Sequence, residues 1–239
     1  MTFCVPTMLH RIAGAADASA LALLRLVVSG SAPLSASLFE TFRREAGTTI
    51  LERYGMSETL LTISNPLVGQ RRPGTVGLAL PGVDLKLPAD PSAESELRVA
   101  GPTVFAGYWR KPEATAEVLA DGWMSTGDIV RVDEAGYVVI CGRSKELIIS
   151  GGFNVYPTEV EDVLRSISGI SDAAVVGRAS DEWGEEVVAF VVGESIGKRQ
   201  HEILDQLAGV LSPYKRPRRI IEIEELPRNA LGKLQRHLL

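Results

Sequence analysis

With 239 residues, 45% of them hydrophobic and 23% charged, the chain has room for one large or two modest domains and the composition of a globular protein. A net charge of -5 argues against a nucleic-acid binder. Cys4 and Cys141 stand far apart with no Cys-x-x-Cys or Cys/His cluster, so neither a disulfide framework nor a zinc site is indicated; a reducing, cytoplasmic setting is expected, and no apolar run reaches the length of a membrane span.

In chain order, residues 1–30 run from VPTMLHRI to LALLRLVVSG, an apolar, β-branched stretch that predicts a buried strand. It closes on the small-residue loop Ser29-Gly30-Ser31-Ala32-Pro33, where a flat ligand can approach the backbone or where the chain simply turns into a helix. Residues 35–46 predict that helix, with Leu38, Phe39 and Phe42 inward, and residues 48–52 predict a strand that delivers Arg53-Tyr54-Gly55-Met56-Ser57-Glu58-Thr59 at its end. Strand, helix, strand, with polar residues at the carboxyl end, is how open α/β sheets place ligands. Between 73 and 142 the texture changes. Short β-rich pieces at 83–87, 96–99, 129–132 and 137–140 alternate with Gly- and Pro-bearing turns, predicting a mostly antiparallel β subdomain.

Residues 142–161, GRSKELIISGGFNVYPTEVE, form a pivot. A charged turn (Arg143, Lys145, Glu146) leads through Leu147–Ile149 and the pair Gly151-Gly152 into a helix, for which Thr158 and Glu161 fit a capping box and Val160, Val163, Leu164 and Ile167 supply the apolar face. Such a turn between dissimilar halves is either an ordinary linker or a place for one domain to rotate. Strands at 173–176, 187–192 and 219–223 and a helix at 201–211 then predict a compact α+β module. The tail at 226–236, LPRNALGKLQR, reads as mobile. Trp109, Trp123 and Trp183 are expected to pack, Cys141 to be a small core residue, and His10, His201 and His237 to have no catalytic role.

Six segments in order, SGSAPL (29–34), ERYGMSET (52–59), GPTVFAGYWRKPEAT (101–115), DGWMSTGDI (121–129), the pivot and LPRNALGK (226–233), resemble the adenylate-forming superfamily of acyl-CoA synthetases, luciferases and peptide-synthetase adenylation domains. Within it, VPTMLHR, SGSAPL, ISNP, PGTVG and GGFNVYP look most like malonyl-CoA synthetases. The resemblance implies an acyl-CoA synthetase-like α/β fold with a β-rich subdomain, followed by a small mobile α+β C-terminal domain, with 1–143 (α/β piece 1–72, β subdomain 73–143) and 144–239 as the two parts. It implies an AMP-forming acid-thiol ligase that uses ATP, Mg2+ and CoA to turn a carboxylate into an acyl-adenylate and then a thioester.

On this resemblance Glu58 holds the magnesium, a hard cation suited to a carboxylate. Ser57 stands where the family usually has Thr and keeps the phosphate-contacting hydroxyl. Tyr54 offers a face to the adenine, with Gly30, Ser31 and Ala32 opposite and Gly55 and Met56 beside it; Asp128 accepts from the ribose hydroxyls and Arg143 donates to ribose or phosphate. Lys233 meets the carboxylate and α-phosphate as charge develops, Gly151 and Gly152 border the thiol's path, and Lys145 is the hinge. The basic run Lys215, Arg216, Arg218 and Arg219 is either a CoA phosphate contact or a solvated edge. Strand alternation turns Arg53 away from Tyr54, toward an acyl pocket where a guanidinium suits the distal carboxylate of malonate or methylmalonate, or else forms a structural salt bridge. Two other readings remain open: a short- or medium-chain acyl-CoA synthetase or carrier-protein adenylation domain, and an inactive fragment. The family's Ser/Thr/Gly-rich phosphate loop ending in Lys does not occur in these residues, so the N-terminal part of the large domain is expected to be absent and the chain alone to adenylate poorly.

Overall fold

The computed structural model describes residues 1–15, 21–91, 93–229 and 232–239. The chain divides into two compact units, Met1–Ile140 and Cys141–Leu239. No helix among the described residues is long and apolar enough to cross a membrane.

The first unit begins with an α/β layer. Strands β1 (Thr2–Cys4), β2 (Val27–Ser29) and β3 (Ile50–Met56) pair in parallel, joined by stretches that carry helices α1 (Pro6–Ala15) and α2 (Ala36–Ala46). The expected single strand near the start is therefore two short strands and a helix. Pro6 lies in the first turn of α1, where its missing N–H leaves nothing unpaired, and Leu9, Ile12 and Ala13 recur at helical spacing against a core shared with Val27, Ile50 and Phe42. Helix α2 follows the sequence closely: Ser35 Oγ accepts from the Leu38 amide at its N-cap, and Leu38, Phe39, Phe42 and Ala46 are buried.

Strand β3 runs farther than predicted. It continues through Arg53-Tyr54-Gly55-Met56 and folds back antiparallel onto β4 (Leu60–Ser64), which pairs in turn with β5 (Leu78–Ala79). Gly55 makes this possible: a Cβ there would lie 2.0 Å from the Leu60 carbonyl oxygen. The second sheet of this unit has the order β10-β9-β7-β6, with β8 on β9, built from β6 (Asp84–Lys86), β7 (Ser95–Ala100), β8 (Leu119–Ala120), β9 (Trp123–Val132) and β10 (Val138–Arg143). Its antiparallel pairing agrees with the expected β subdomain, although helix α3 (Pro112–Val118), opened by Pro112, interrupts it unannounced. Along β9 burial alternates strictly, placing Met124, Thr126, Asp128 and Val130 on the inner face.

In the second unit a sheet of order β12-β11-β14-β13, with β15 on β14, carries two helices. Its members are β11 (Ile148–Ser150), β12 (Phe153–Val155), β13 (Ile170–Ser180), β14 (Gly184–Gly193) and β15 (Arg219–Glu222), with α4 (Pro157–Ser166) and α5 (Ile196–Ala208). Val160, Leu164, Ile167, Ile203 and Leu207 from the helices meet Val175, Val187, Ala189 and Val191 from the sheet. The expected capping box at Thr158 and Glu161 does not form. Helix α4 opens on Pro157 with no side-chain cap, because Glu161 turns into the interior and spends its oxygens elsewhere. Trp109 corrects another expectation, being 84% exposed instead of packed. Cys141 is half-buried.

Candidate active site

The sharp turn between β3 and β4 presents Ser57 to solvent and Glu58 at its tip. Glu58 is held from two sides by one loop of the β subdomain. Its carbonyl accepts from the Phe105 amide at 2.7 Å, and its Oε1 accepts from the Tyr108 hydroxyl at 2.9 Å, while the Phe105 and Tyr108 rings meet edge-on at 4.8 Å. By accepting that bond the carboxylate raises the Tyr108 phenol's pKa, with burial adding to it, so Tyr108 stays a donor through the neutral range. Sequence reasoning had passed over Tyr108. The signal was present in GPTVFAGYWRKPEAT, but no spacing rule ties residue 108 to residue 58.

Tyr54 and Asp128, assigned separately to adenine and ribose, are joined in the structure. The Tyr54 hydroxyl donates to Asp128 Oδ2 at 2.5 Å across two sheets. Asp128 is only 2% exposed, a placement a carboxylate tolerates when hydrogen-bonded, and Thr126 Oγ1 accepts from its backbone amide at 3.1 Å. A flat phenol and a carboxylate are thereby locked to one another.

Arg53 leaves β3 in a different direction. Its guanidinium lies 4.9 Å over the Phe3 ring and lines a cavity of about 250 Å³ with Gly30, Ser31, Gly55 and Leu61, a set that does not include Tyr54. Gly30 and Ser31 are thus grouped with Arg53, whereas the resemblance had set them across the adenine from Tyr54; Ala32 is exposed in the same loop, and Met56 ends β3. Among the described residues no carboxylate pairs with Arg53, so the alternative of a structural salt bridge is not seen there. The Ser29 hydroxyl, on the same wall and fully buried, has no hydrogen-bond partner among the described residues.

The remaining candidates lie in the second unit. Arg143 ends β10 and Lys145 sits in the 3-10 turn Ser144–Glu146, both exposed. Gly151 and Gly152 (φ 59° and 83°) form the turn between β11 and β12, a two-residue hairpin whose twist demands positive φ at both positions. A side chain on Gly151 would also press on the Trp183 ring, 2.9 Å from its Cβ position. Each member of the basic run is engaged within the unit: Lys215 with Glu159 at 2.7 Å, Arg216 with the Leu211 and Ala208 carbonyls, Arg218 4.2 Å over Trp183, and Arg219 with Glu186 at 2.5 Å. The run is therefore not a free patch of cations.

The tail around Lys233 is folded. Arg228 bridges Leu234 in antiparallel fashion, Gln235 N donates to Pro227 O, and Asn229 exchanges two bonds with Lys233, its N to Lys233 O and its Oδ1 from Lys233 N, all three at 2.9 Å. Lys233 is exposed, and its ammonium pairs with no described carboxylate. Two arginines anchor the segment, Arg228 on Asp172 at 2.6 Å and Arg236 on Glu161 and Glu146.

The model of the AMP-binding enzyme family matches residues 1–109, and that of the AMP-binding enzyme C-terminal domain matches residues 159–233. The malonate–CoA ligase of Arabidopsis thaliana is 39% identical over 238 residues, 92% of this chain and 39% of that protein. The long-chain-fatty-acid–CoA ligase of Bacillus subtilis is 39% identical over 228 residues, 92% of this chain and 41% of that protein. The crystal structure of ATP-bound MatB from Rhodopseudomonas palustris superposes with a TM-score of 0.91 at 40% identity, over 99% of this chain and 49% of that one. The chain spans about two fifths of the length of the curated relatives it matches. Two models of one family thus match in order across both units, and the chain belongs to the AMP-binding enzyme family.

Proposed function

We propose that the chain carries the chemistry of an ATP-dependent acid–CoA ligase that activates malonate or methylmalonate as its acyl-adenylate and passes the acyl group to the CoA thiol. The observation that carries the choice of acid is Arg53. Relatives at the same identity include a malonate and a long-chain-fatty-acid ligase, so likeness alone selects neither. A guanidinium that lines a small cavity and pairs with no carboxylate among the described residues favours an acid with a second carboxylate, which it can hold in a bidentate pair. An alkyl chain would leave that charge and the Ser29 hydroxyl without partners.

The other roles are assigned on the family resemblance, with the contacts described above in their support. The face of Tyr54, its hydroxyl fixed by Asp128, takes the adenine, and the Asp128 carboxylate accepts from the ribose. Glu58 is suited to one magnesium ion, since Tyr108 occupies only Oε1 and such ions take one or two carboxylates with phosphate and water as the remaining ligands. When bound, magnesium neutralises phosphate charge. Arg143 contacts the nucleotide, Lys233 the developing charge, Gly151 and Gly152 the thiol's path, and Lys145 serves as hinge.

In the protein expressed from its complete reading frame, malonate-dependent pyrophosphate exchange should exceed butyrate-dependent exchange in kcat/KM by on the order of 10²-fold, because the site's polar groups go unpaired with butyrate. Equal use of malonate, acetate and butyrate would overturn the choice of acid. A Tyr108→Phe variant should need about 10- to 100-fold more magnesium for half-maximal exchange while KM for the acid stays put, as expected when a ligand loses its orienting partner. An unchanged magnesium requirement would show that Tyr108 does not orient Glu58.

A further inference from the structure

Glu161 is 2% exposed, and its carboxylate is the hub of the second unit's polar interior. Oε1 accepts from the Val175 amide at 2.8 Å and from Arg236 Nη1; Oε2 accepts from Arg165 Nη2 at 3.1 Å and Arg236 Nη2 at 3.2 Å. Arg236 also donates from Nε to Glu146 Oε2 at 2.9 Å and from Nη1 to the Val175 carbonyl at 3.1 Å. One guanidinium three residues beyond Lys233 thus touches the turn Ser144–Glu146, helix α4 and strand β13. An ion pair this deep is not the cheapest way to fill the space, since well-packed apolar side chains of similar volume are commonly at least as stabilising. What it adds is direction, because a planar fork bonded through all three of its nitrogens fixes the backbone that carries it.

Lys233 needs such a fixture. Its ammonium sits on a flexible four-carbon stem with no partner among the described residues, so only the placement of its backbone confines where it can reach. Toward the N-terminus of Lys233, Arg228 binds Asp172 and the Gly232 carbonyl; toward the C-terminus, Arg236 binds the buried hub. We propose that Arg236 is a positioning residue for Lys233: through Glu161 it fixes the segment on the sheet, and through Glu146 it fixes it to the turn that holds Lys145, so that turn and lysine keep one geometry. This rests on the function proposed for Lys233, whereas the anchoring itself does not.

Two measurements separate them. Amide hydrogen exchange on this chain should show Lys233, Leu234 and Gln235 exchanging about 10-fold or more faster in Glu161→Gln/Arg236→Ala, with protection across β13 and β14 retained, as for a local opening. The double variant is used because Arg236→Ala alone removes two of the four donors to a buried carboxylate and can destabilise the whole unit. In the protein expressed from its complete reading frame, the same double variant should lose on the order of 10²-fold in kcat for adenylation, with KM for ATP and acid and the conversion of supplied acyl-adenylate to thioester held within about threefold, the mark of a misplaced group. Arg236→Lys should recover only part of that loss, and Glu146→Ala should reproduce a smaller one. Unchanged protection at 233–235, or equal loss of both half-reactions, would overturn the proposal. If wild-type protein shows no acid-dependent exchange, the proposed function fails, and the amide data still decide the anchor.

Discussion

Replacing Lys233 by alanine is expected to slow acyl-adenylate formation by on the order of 10²–10³-fold, the usual loss when one preorganised donor to a developing anion is removed. The reason lies in where the charge appears. As carboxylate attacks the α-phosphate, negative charge builds on oxygens that a single ammonium can meet, and a contact stronger in the transition state than in the ground state acts on kcat more than on KM. Nothing described in the structure competes for that ammonium: it pairs with no carboxylate, and the folded tail presents it to solvent. Thioester formation from supplied acyl-adenylate should be nearly unaffected, because by then the bond to phosphate has been made. Stopped-flow or exchange measurements of the two half-reactions on the protein from its complete reading frame check this. Normal adenylation by Lys233→Ala would remove the lysine from the mechanism, and equal damage to both steps would assign it a structural role.

Arg53→Met should have an effect of similar size on a different quantity. Truncating one partner of a desolvated charge pair typically costs about 2–5 kcal/mol, so kcat/KM for malonate should fall by about 30-fold or more. Butyrate should gain, because the methionine offers it an apolar wall without an orphaned charge. The folded state should tolerate the change. Among the described residues Arg53 makes a cation-π contact to Phe3 and packs against Gly30, and no salt bridge there is broken. Competition assays with malonate and butyrate read the switch directly. If malonate and butyrate respond alike, Arg53 is a structural residue and the cavity binds something else.

Most of the second unit could be read from the sequence. The apolar spacing of Val160, Leu164 and Ile167 and the β-branched run around Val187–Val191 specify one face of a helix and one strand, and both appear where expected. Near the start the same reading failed: VPTMLHRI is rich in β-branched residues yet forms α1, since Pro6 opens a helix and Leu9, Ile12 and Ala13 have a core to meet. Strand β3 outruns its expected end because Tyr54 and Gly55 have the sequence of a loop, whereas in the fold Gly55 admits the Leu60 carbonyl. The Pro, Asn and Gly content of the tail predicts mobility, whereas its anchors come from Asp172, Glu161 and Glu146, 56 to 90 positions away.

By itself, then, the sequence determined which side chains are available and in what order: a carboxylate at 58, a phenol and guanidinium side by side at 54 and 53, a carboxylate at 128 and a lysine at 233. Composition, motif order and short-range periodicity suffice for that, since each depends on neighbours within a few residues. Only the tertiary structure decided how those side chains are held. It gave Glu58 to Tyr108, Tyr54 to Asp128, and Arg236 to Glu161, because each bond joins residues separated by at least 50 positions and no local rule reaches that far. It also set Arg53 over Phe3 beside a small cavity, with no carboxylate partner among the described residues; that is a fact about what surrounds the guanidinium and not about the residue, and it is the ground for the choice of acid proposed above.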